Sequence, residues 1–124
     1  MNAKACIAVA GLSGFLAVVL GAVGAHALKA RADETTMALY HTANSYHFYH
    51  TLALFGVGVL AQTRGSLWLK LSAGCFVVGM LLFCGSLYLL ALTGLHAMLA
   101  PFGGVLLMLG WLLLGFSALR PTSH

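Results

Sequence analysis

Residues 71–119 read LSAGCFVVGMLLFCGSLYLLALTGLHAMLAPFGGVLLMLGWLLLGFSAL, 49 residues without a charge. A bilayer core about 30 Å thick is crossed by roughly 20 helical residues, so this stretch holds two spans if the chain can turn inside it. The segment Thr93-Gly94-Leu95-His96-Ala97-Met98-Leu99-Ala100-Pro101 supplies the turn. Glycine suits the residue just past a helix C-terminus, and proline suits the first position of the next helix. Working outward, the charged residues (Lys4, Lys29, Arg31, Asp33, Glu34, Arg64, Lys70 and Arg120) leave two further uncharged gaps. These are residues 5–28 and 35–63, of 24 and 29 residues, and each holds one span. The expected fold is all-α, a membrane protein of four antiparallel transmembrane helices near 5–27, 37–62, 68–92 and 101–119, in a single domain over 1–124.

Composition agrees. Of 124 residues, 61% are hydrophobic and 6% charged, against about 25% charged in an ordinary soluble domain. Mean hydropathy is +0.99. A cytosolic enzyme, a disordered tail and a fibrous repeat are excluded. So is a nucleic-acid binder, because the six Lys and Arg behind the net charge of +4 are scattered and form no patch. A membrane β-barrel would alternate polarity over segments of about ten residues, whereas Phe76-Val77-Val78-Gly79-Met80-Leu81-Leu82-Phe83 is apolar all round. Lys4 before an apolar stretch, with Ala25-His26-Ala27 or Ala30-Arg31-Ala32 after it, resembles a signal peptide. The stretch is too long for a typical h-region, however, and an uncleaved helix is expected. Lys4, Arg64, Lys70 and Arg120 fall on one side of the antiparallel layout and Lys29 and Arg31 on the other, so both termini are expected in the cytoplasm.

Fifteen glycines in so apolar a chain point to close helix packing. Ala17, Gly21 and Ala25 form a stripe with Gly14 and Gly24 beside it, Cys75 and Gly79 repeat the spacing, and Gly103, Gly104, Gly110 and Gly115 follow in helix 4. Packing inside the monomer is the expected use, and a dimer face or ligand groove the alternative. Cys6, Cys75 and Cys84 all lie in spans, odd in number and without C-x-x-C spacing, and are expected as free thiols.

Six histidines are many for this length. His26, His41, His47, His50 and His96 all fall toward the outer side, and only His124 toward the inner. His47 and His50 stand three apart on a helix and are expected to share a face, which Asn44 continues. With His26 at similar depth on the neighbouring helix, His26, His47 and His50 are candidate metal ligands or haem axial ligands. An imidazole can also relay a proton. The alternative is an interfacial belt, Tyr40 to His50, whose polar groups bond neighbouring helices. The only carboxylates, Asp33 and Glu34, lie in the first connection, which excludes paired-carboxylate chemistry. Ser13, Ser72, Ser86 and Thr51 have no nucleophile motif and are expected to bond their own helix backbone. No catalytic residue is expected. Arg64 and Lys70 flank Trp68 as an interface anchor, Arg120 with Trp111 is expected to form another, and the charges Lys29 to Glu34 read as a solvated connection.

Four stretches in order carry a family resemblance: Gly21-Ala22-Val23-Gly24-Ala25-His26-Ala27-Leu28, Tyr46-His47-Phe48-Tyr49-His50-Thr51-Leu52-Ala53-Leu54, Phe83-Cys84-Gly85-Ser86-Leu87-Tyr88-Leu89-Leu90-Ala91-Leu92, and Gly103-Gly104 with Gly110-Trp111. Over nearly the whole chain they resemble the small inner-membrane proteins of the YgdD and YwdK type, a family of unknown function with mitochondrial relatives. The family's motif histidines map onto His26 and His50, whereas the position of His47 can carry glutamine. Val23 stands in place of the usual phenylalanine and Cys84 in place of serine. The resemblance implies a four-helix protein of the bacterial inner membrane and names no cofactor or substrate. Three functions remain open: a structural or accessory protein of the bilayer, as a homo-oligomer or with a membrane-protein partner; a metal- or haem-binding protein; and an oligomeric small transporter or channel.

Overall fold

The computed structural model describes residues 1–96 and 98–120, which leaves Ala97 of the expected turn and His124 outside the described residues. Four long helices follow one another: α1, Ala3–Val23, continued by a π-helical turn Gly24–Leu28; α2, Glu34–Thr63; α3, Leu67–Thr93; and α4, Ala100–Ser117. Among the described residues there is no strand.

Local chemistry sets the helix ends. The Asn2 side chain accepts from the Ala5 amide at 2.8 Å and starts α1, and Ser66 accepts from the Trp68 amide at 3.2 Å and starts α3. Gly94 adopts φ +77°, the left-handed geometry that ends α3, and Pro101 stands in the first turn of α4, both as the sequence predicts. α2 begins earlier than expected. Asp33 accepts from the Thr36 amide at 2.8 Å, so Asp33 and Glu34 are solvated as expected but stand as the cap and first residue of α2, not in a loop. Hydrogen bonds from the Thr36 backbone and side chain hold the Asp33 carboxyl below its ordinary value. A depressed carboxyl stabilises the fold above its unfolded pKa, and that contribution is lost as pH falls through the folded one.

The helices pack antiparallel, α1 on α2, α2 on α3 and α3 on α4. The start of α1 meets the end of α2 where Gly58 lies against Cys6 and Ile7, and the end of α1 meets the start of α2 where Gly24 receives the Tyr40 ring. The Tyr40 hydroxyl donates to the Leu20 carbonyl beside the π-helical turn. Between α3 and α4 the backbones themselves touch. A Cβ at Gly103 would lie 2.4 Å from the Phe83 nitrogen and 2.9 Å from the Gly79 oxygen, so no side chain fits. Ser72 spans the same interface, donating to the Gly110 carbonyl at 2.7 Å. At the end of the molecule carrying the start of α1 and the end of α4, an Arg64 Nη donates to the Ser117 carbonyl at 2.7 Å, where the C-terminal dipole of α4 favours a cation. Arg120 lies over Phe116 and Trp68, at 4.9 and 5.9 Å from the ring centroids. Its expected partner Trp111 instead packs against Phe76 and His50 within the helix assembly.

The outer surface is apolar: Leu12, Phe15, Val18, Leu81, Leu112 and their neighbours are exposed. Three helical segments, Ala3–Leu28, Leu67–Thr93 and Ala100–Ser117, are long and apolar enough to cross a membrane. α2 is not among them, because its first half carries His41, Asn44, Ser45, His47 and His50.

If the α3–α4 contact holds these helices, Gly103→Ala lowers the unfolding free energy by about 1–3 kcal/mol through overpacking. Gly115→Ala, which meets nothing within 4 Å inside α4, leaves it unchanged or raises it by up to about 1 kcal/mol through helix propensity. Reversible unfolding in detergent, followed by circular dichroism, reads both. Equal effects would contradict this packing.

Candidate functional site

Polar side chains from α1, α2 and α3 converge where these helices meet. The Asn44 amide nitrogen donates to the Ala17 carbonyl at 2.9 Å and to the Tyr88 hydroxyl at 3.0 Å. His47 stands 3.0 Å from the Tyr88 oxygen through Nδ1 and 3.0 Å from the Ser13 oxygen through Nε2. The Ser13 and Thr51 hydroxyls are 2.6 Å apart, and the Met80 sulfur lies 3.7 Å from the Thr51 oxygen.

The donor inventory gives this chain a direction. The Tyr88 oxygen accepts from Asn44 and has a second lone pair, so completeness sets the direction: with the Tyr88 hydroxyl donating to His47 Nδ1, no hydrogen is left over. Nε2 is then the protonated nitrogen and donates to Ser13. Ser13 donates to Thr51, and Thr51 to the Met80 sulfur. Every hydrogen is used with His47 neutral. In a hydrocarbon surround, where water cannot supply missing partners, that closure keeps the group tolerable.

His50 is built differently. Its Nδ1 stands 2.7 Å from the Tyr46 carbonyl one turn back. A carbonyl only accepts, so Nδ1 carries the proton and Nε2 the lone pair. The ring is 5% exposed and packed among Tyr46, Phe76 and Trp111. Although three residues apart, His47 and His50 do not act on one face. His47 turns toward α1 and His50 toward α4, with α3 in the sector between them.

The three expected ligands therefore stand apart. His26 is exposed in the π-helical turn, His47 has both nitrogens engaged, and His50 offers one lone pair. Among the described residues no three His, Cys, Asp or Glu side chains are grouped as a metal site. His41 and His96 are exposed. The expected belt divides, with Tyr40, His47 and His50 buried and Tyr46 and Tyr49 exposed. Ser86 bonds its own helix at the Leu82 carbonyl as expected, but Ser13, Thr51 and Ser72 reach across to other helices. The three cysteines are free thiols, Cys6 and Cys84 buried. Tyr88 and Ser13 are the functional-site residues the sequence reading missed. A tyrosine within an apolar run was the available signal, because a buried phenol has to find a partner.

Tyr88→Phe removes the oxygen that joins Asn44 to His47 and lowers the unfolding free energy by about 1–3 kcal/mol. Because Ser13 and Tyr88 both act through His47, Ser13→Ala and Tyr88→Phe are non-additive in a double-mutant cycle of reversible unfolding. Strict additivity would mean that the chain does not act as a unit.

Residues 20–104 match a family model described as "Protein of unknown function (DUF423)". The chain is 39% identical over 122 residues to the "UPF0382 inner membrane protein YgdD" of Escherichia coli strain K12, covering 97% of this chain and 93% of that protein. It is 34% identical over 120 residues to the "UPF0382 membrane protein YwdK" of Bacillus subtilis strain 168, covering 94% and 98%. It is also 34% identical over 114 residues to a "UPF0382 membrane protein" of Haemophilus influenzae, covering 90% and 91%. No solved structure matches. The expected resemblance holds across nearly the full length, and this chain belongs to the DUF423 (UPF0382) family of membrane proteins of unknown function.

Proposed function

We propose that this protein is a non-enzymatic, structural or accessory component of the bacterial inner membrane, with four spans and both termini in the cytoplasm. The observation that carries the reading is the closed hydrogen-bond chain from Asn44 to Met80. Polar groups that elsewhere serve as bases and nucleophiles are here bonded to one another and join three helices. The only carboxylates sit at the start of α2, remote from that chain in sequence. A metal or haem reading has less support, since His47 has no free nitrogen and His26 is exposed. A transporter would need several copies to enclose a path.

Four spans are supported by the packing of α2 between α1 and α3. At 30 residues it is about 45 Å long. Its histidines 47 and 50 face inward, while Leu52, Phe55, Val59 and Leu60 of its second half face out. The cytoplasmic placement of both termini is supported by Lys4, Arg64, Lys70 and Arg120 lying toward one end.

Topology is tested with single cysteines on a background in which Cys6, Cys75 and Cys84 are alanine. A membrane-impermeant maleimide added from outside labels Ala30→Cys, and labels Thr63→Cys only after the membrane is opened. The reverse pattern, or both sites labelled from one side, would overturn the four-span layout. For the functional reading, protein purified without tag or chelator is expected to carry no stoichiometric metal by elemental analysis and no Soret band. Either signal would favour the ligand role of the histidines.

A further inference from the structure

The net charge of +4 is carried by one end of the molecule. Lys4 at the start of α1, Arg64 just past α2, Lys70 in the first turn of α3 and Arg120 past α4 all lie there, and among the described residues no aspartate or glutamate does. At the other end the charges of Lys29 and Arg31 are cancelled by those of Asp33 and Glu34.

Two of the four cations, Arg64 and Arg120, are gathered at the last turn of α4 by contacts that leave their charge uncompensated. Arg64 donates through one Nη to the Ser117 carbonyl at 2.7 Å, and its Nε is buried without a hydrogen-bond partner among the described residues. The Arg120 guanidinium lies 4.9 Å from the Phe116 ring centroid and 5.9 Å from that of Trp68, and the two rings meet edge to face at 4.9 Å. A ring takes the flat side of a guanidinium and leaves its N–H edge open. Among the described residues neither arginine has an ion pair.

α3 begins and α4 ends at this corner, and both are long and apolar enough to cross a membrane, which puts the corner at headgroup level. Leu67 and Leu119, the chain neighbours of Trp68 and Arg120, are exposed beside it. The surface is therefore cationic and apolar together. Its complement carries negative charge at one end and hydrocarbon at the other. A soluble acidic segment matches the charge and leaves the leucines unmatched.

We propose that the corner formed by Arg64, Trp68, Phe116 and Arg120 binds an anionic phospholipid. The lipid phosphate accepts from the open N–H edge of Arg120, Arg64 adds its charge from the same turn of α4, and the acyl chains run along Leu67 and Leu119. The proposal goes beyond the accessory role, concerns binding alone and holds whichever face of the membrane this end occupies.

The test uses the full chain with Trp111→Phe, which leaves Trp68 as the one tryptophan, in phosphatidylcholine vesicles. A minor fraction of the lipid is replaced by brominated phosphatidylglycerol or, in a parallel sample, by brominated phosphatidylcholine, and Trp68 quenching is compared. The ratio of the two reads the local preference for the anionic lipid in each variant, whatever the change has done to Trp68 itself. Phosphatidylglycerol is expected to be favoured, and Arg120→Gln to lower the preference about fivefold, the worth of one arginine at a membrane surface. Arg120→Lys, which keeps the charge, retains part of it. Lys4→Gln, which removes the same charge from α1, changes it by less than about twofold because salt screens distant charges. Circular dichroism confirms that each variant is folded. Equal quenching by both brominated lipids overturns the proposal. So does an equal loss in Lys4→Gln and Arg120→Gln, which would mean diffuse attraction to the whole charged end. Displacement of the preference by excess glycerol 3-phosphate also overturns it and assigns the arginines to a soluble phosphate ester.

Discussion

His47 is held at both ring nitrogens, by Tyr88 of α3 and Ser13 of α1, and the arrangement of the first three helices depends on that double constraint. Between lipid-soluble helices the hydrophobic effect supplies no preference for one rotation over another, since hydrocarbon tails are as apolar as leucine. Directional bonds do supply one. Turning α2 about its axis would strip partners from Asn44, His47 and Thr51 together. In an environment without water each orphaned group is expensive. The chain from Asn44 to Met80 thus orients α1 and α3 about α2, in addition to satisfying its own members.

α4 is attached by different means. Its interface with α3 has one side-chain hydrogen bond, Ser72 to the Gly110 carbonyl, and otherwise depends on close approach at Gly79, Gly103 and Gly110. Glycine there allows backbone to meet backbone, which gains dispersion contacts that no side chain could make. At the charged end, Arg64 on the Ser117 carbonyl and Arg120 over Trp68 and Phe116 tie the end of α4 back to the α2–α3 connection.

The relatives in Escherichia coli, Bacillus subtilis and Haemophilus influenzae align over nearly the whole chain, which places this protein among small membrane proteins of one family. The same residue type serves distinct ends within it. One buried histidine closes a structural chain, another keeps a lone pair, and a third, His26, is exposed in the π-helical turn. The spacing of His47 and His50 and the depth of His26 suggested a shared site, and the bonding pattern separates the three.

The sequence by itself determined the helices, the turn at Gly94 and Pro101, the free thiols, the close packing at Gly24, Gly79, Gly103 and Gly110 (though not at Gly115, which faces open space) and the membrane setting, because each follows from local composition or a backbone preference. Even the early start of α2 was readable in principle from Asp33 as a cap. Tertiary structure alone decided that His47 faces Ser13 and Tyr88, that His50 faces Trp111, and that Arg120 chooses Phe116 and Trp68 over Trp111. The physical reason is rotation. A helix apolar on nearly every side has no hydrophobic stripe to reveal its inner face, so its orientation is set by its neighbours and by the few hydrogen bonds that only one orientation completes.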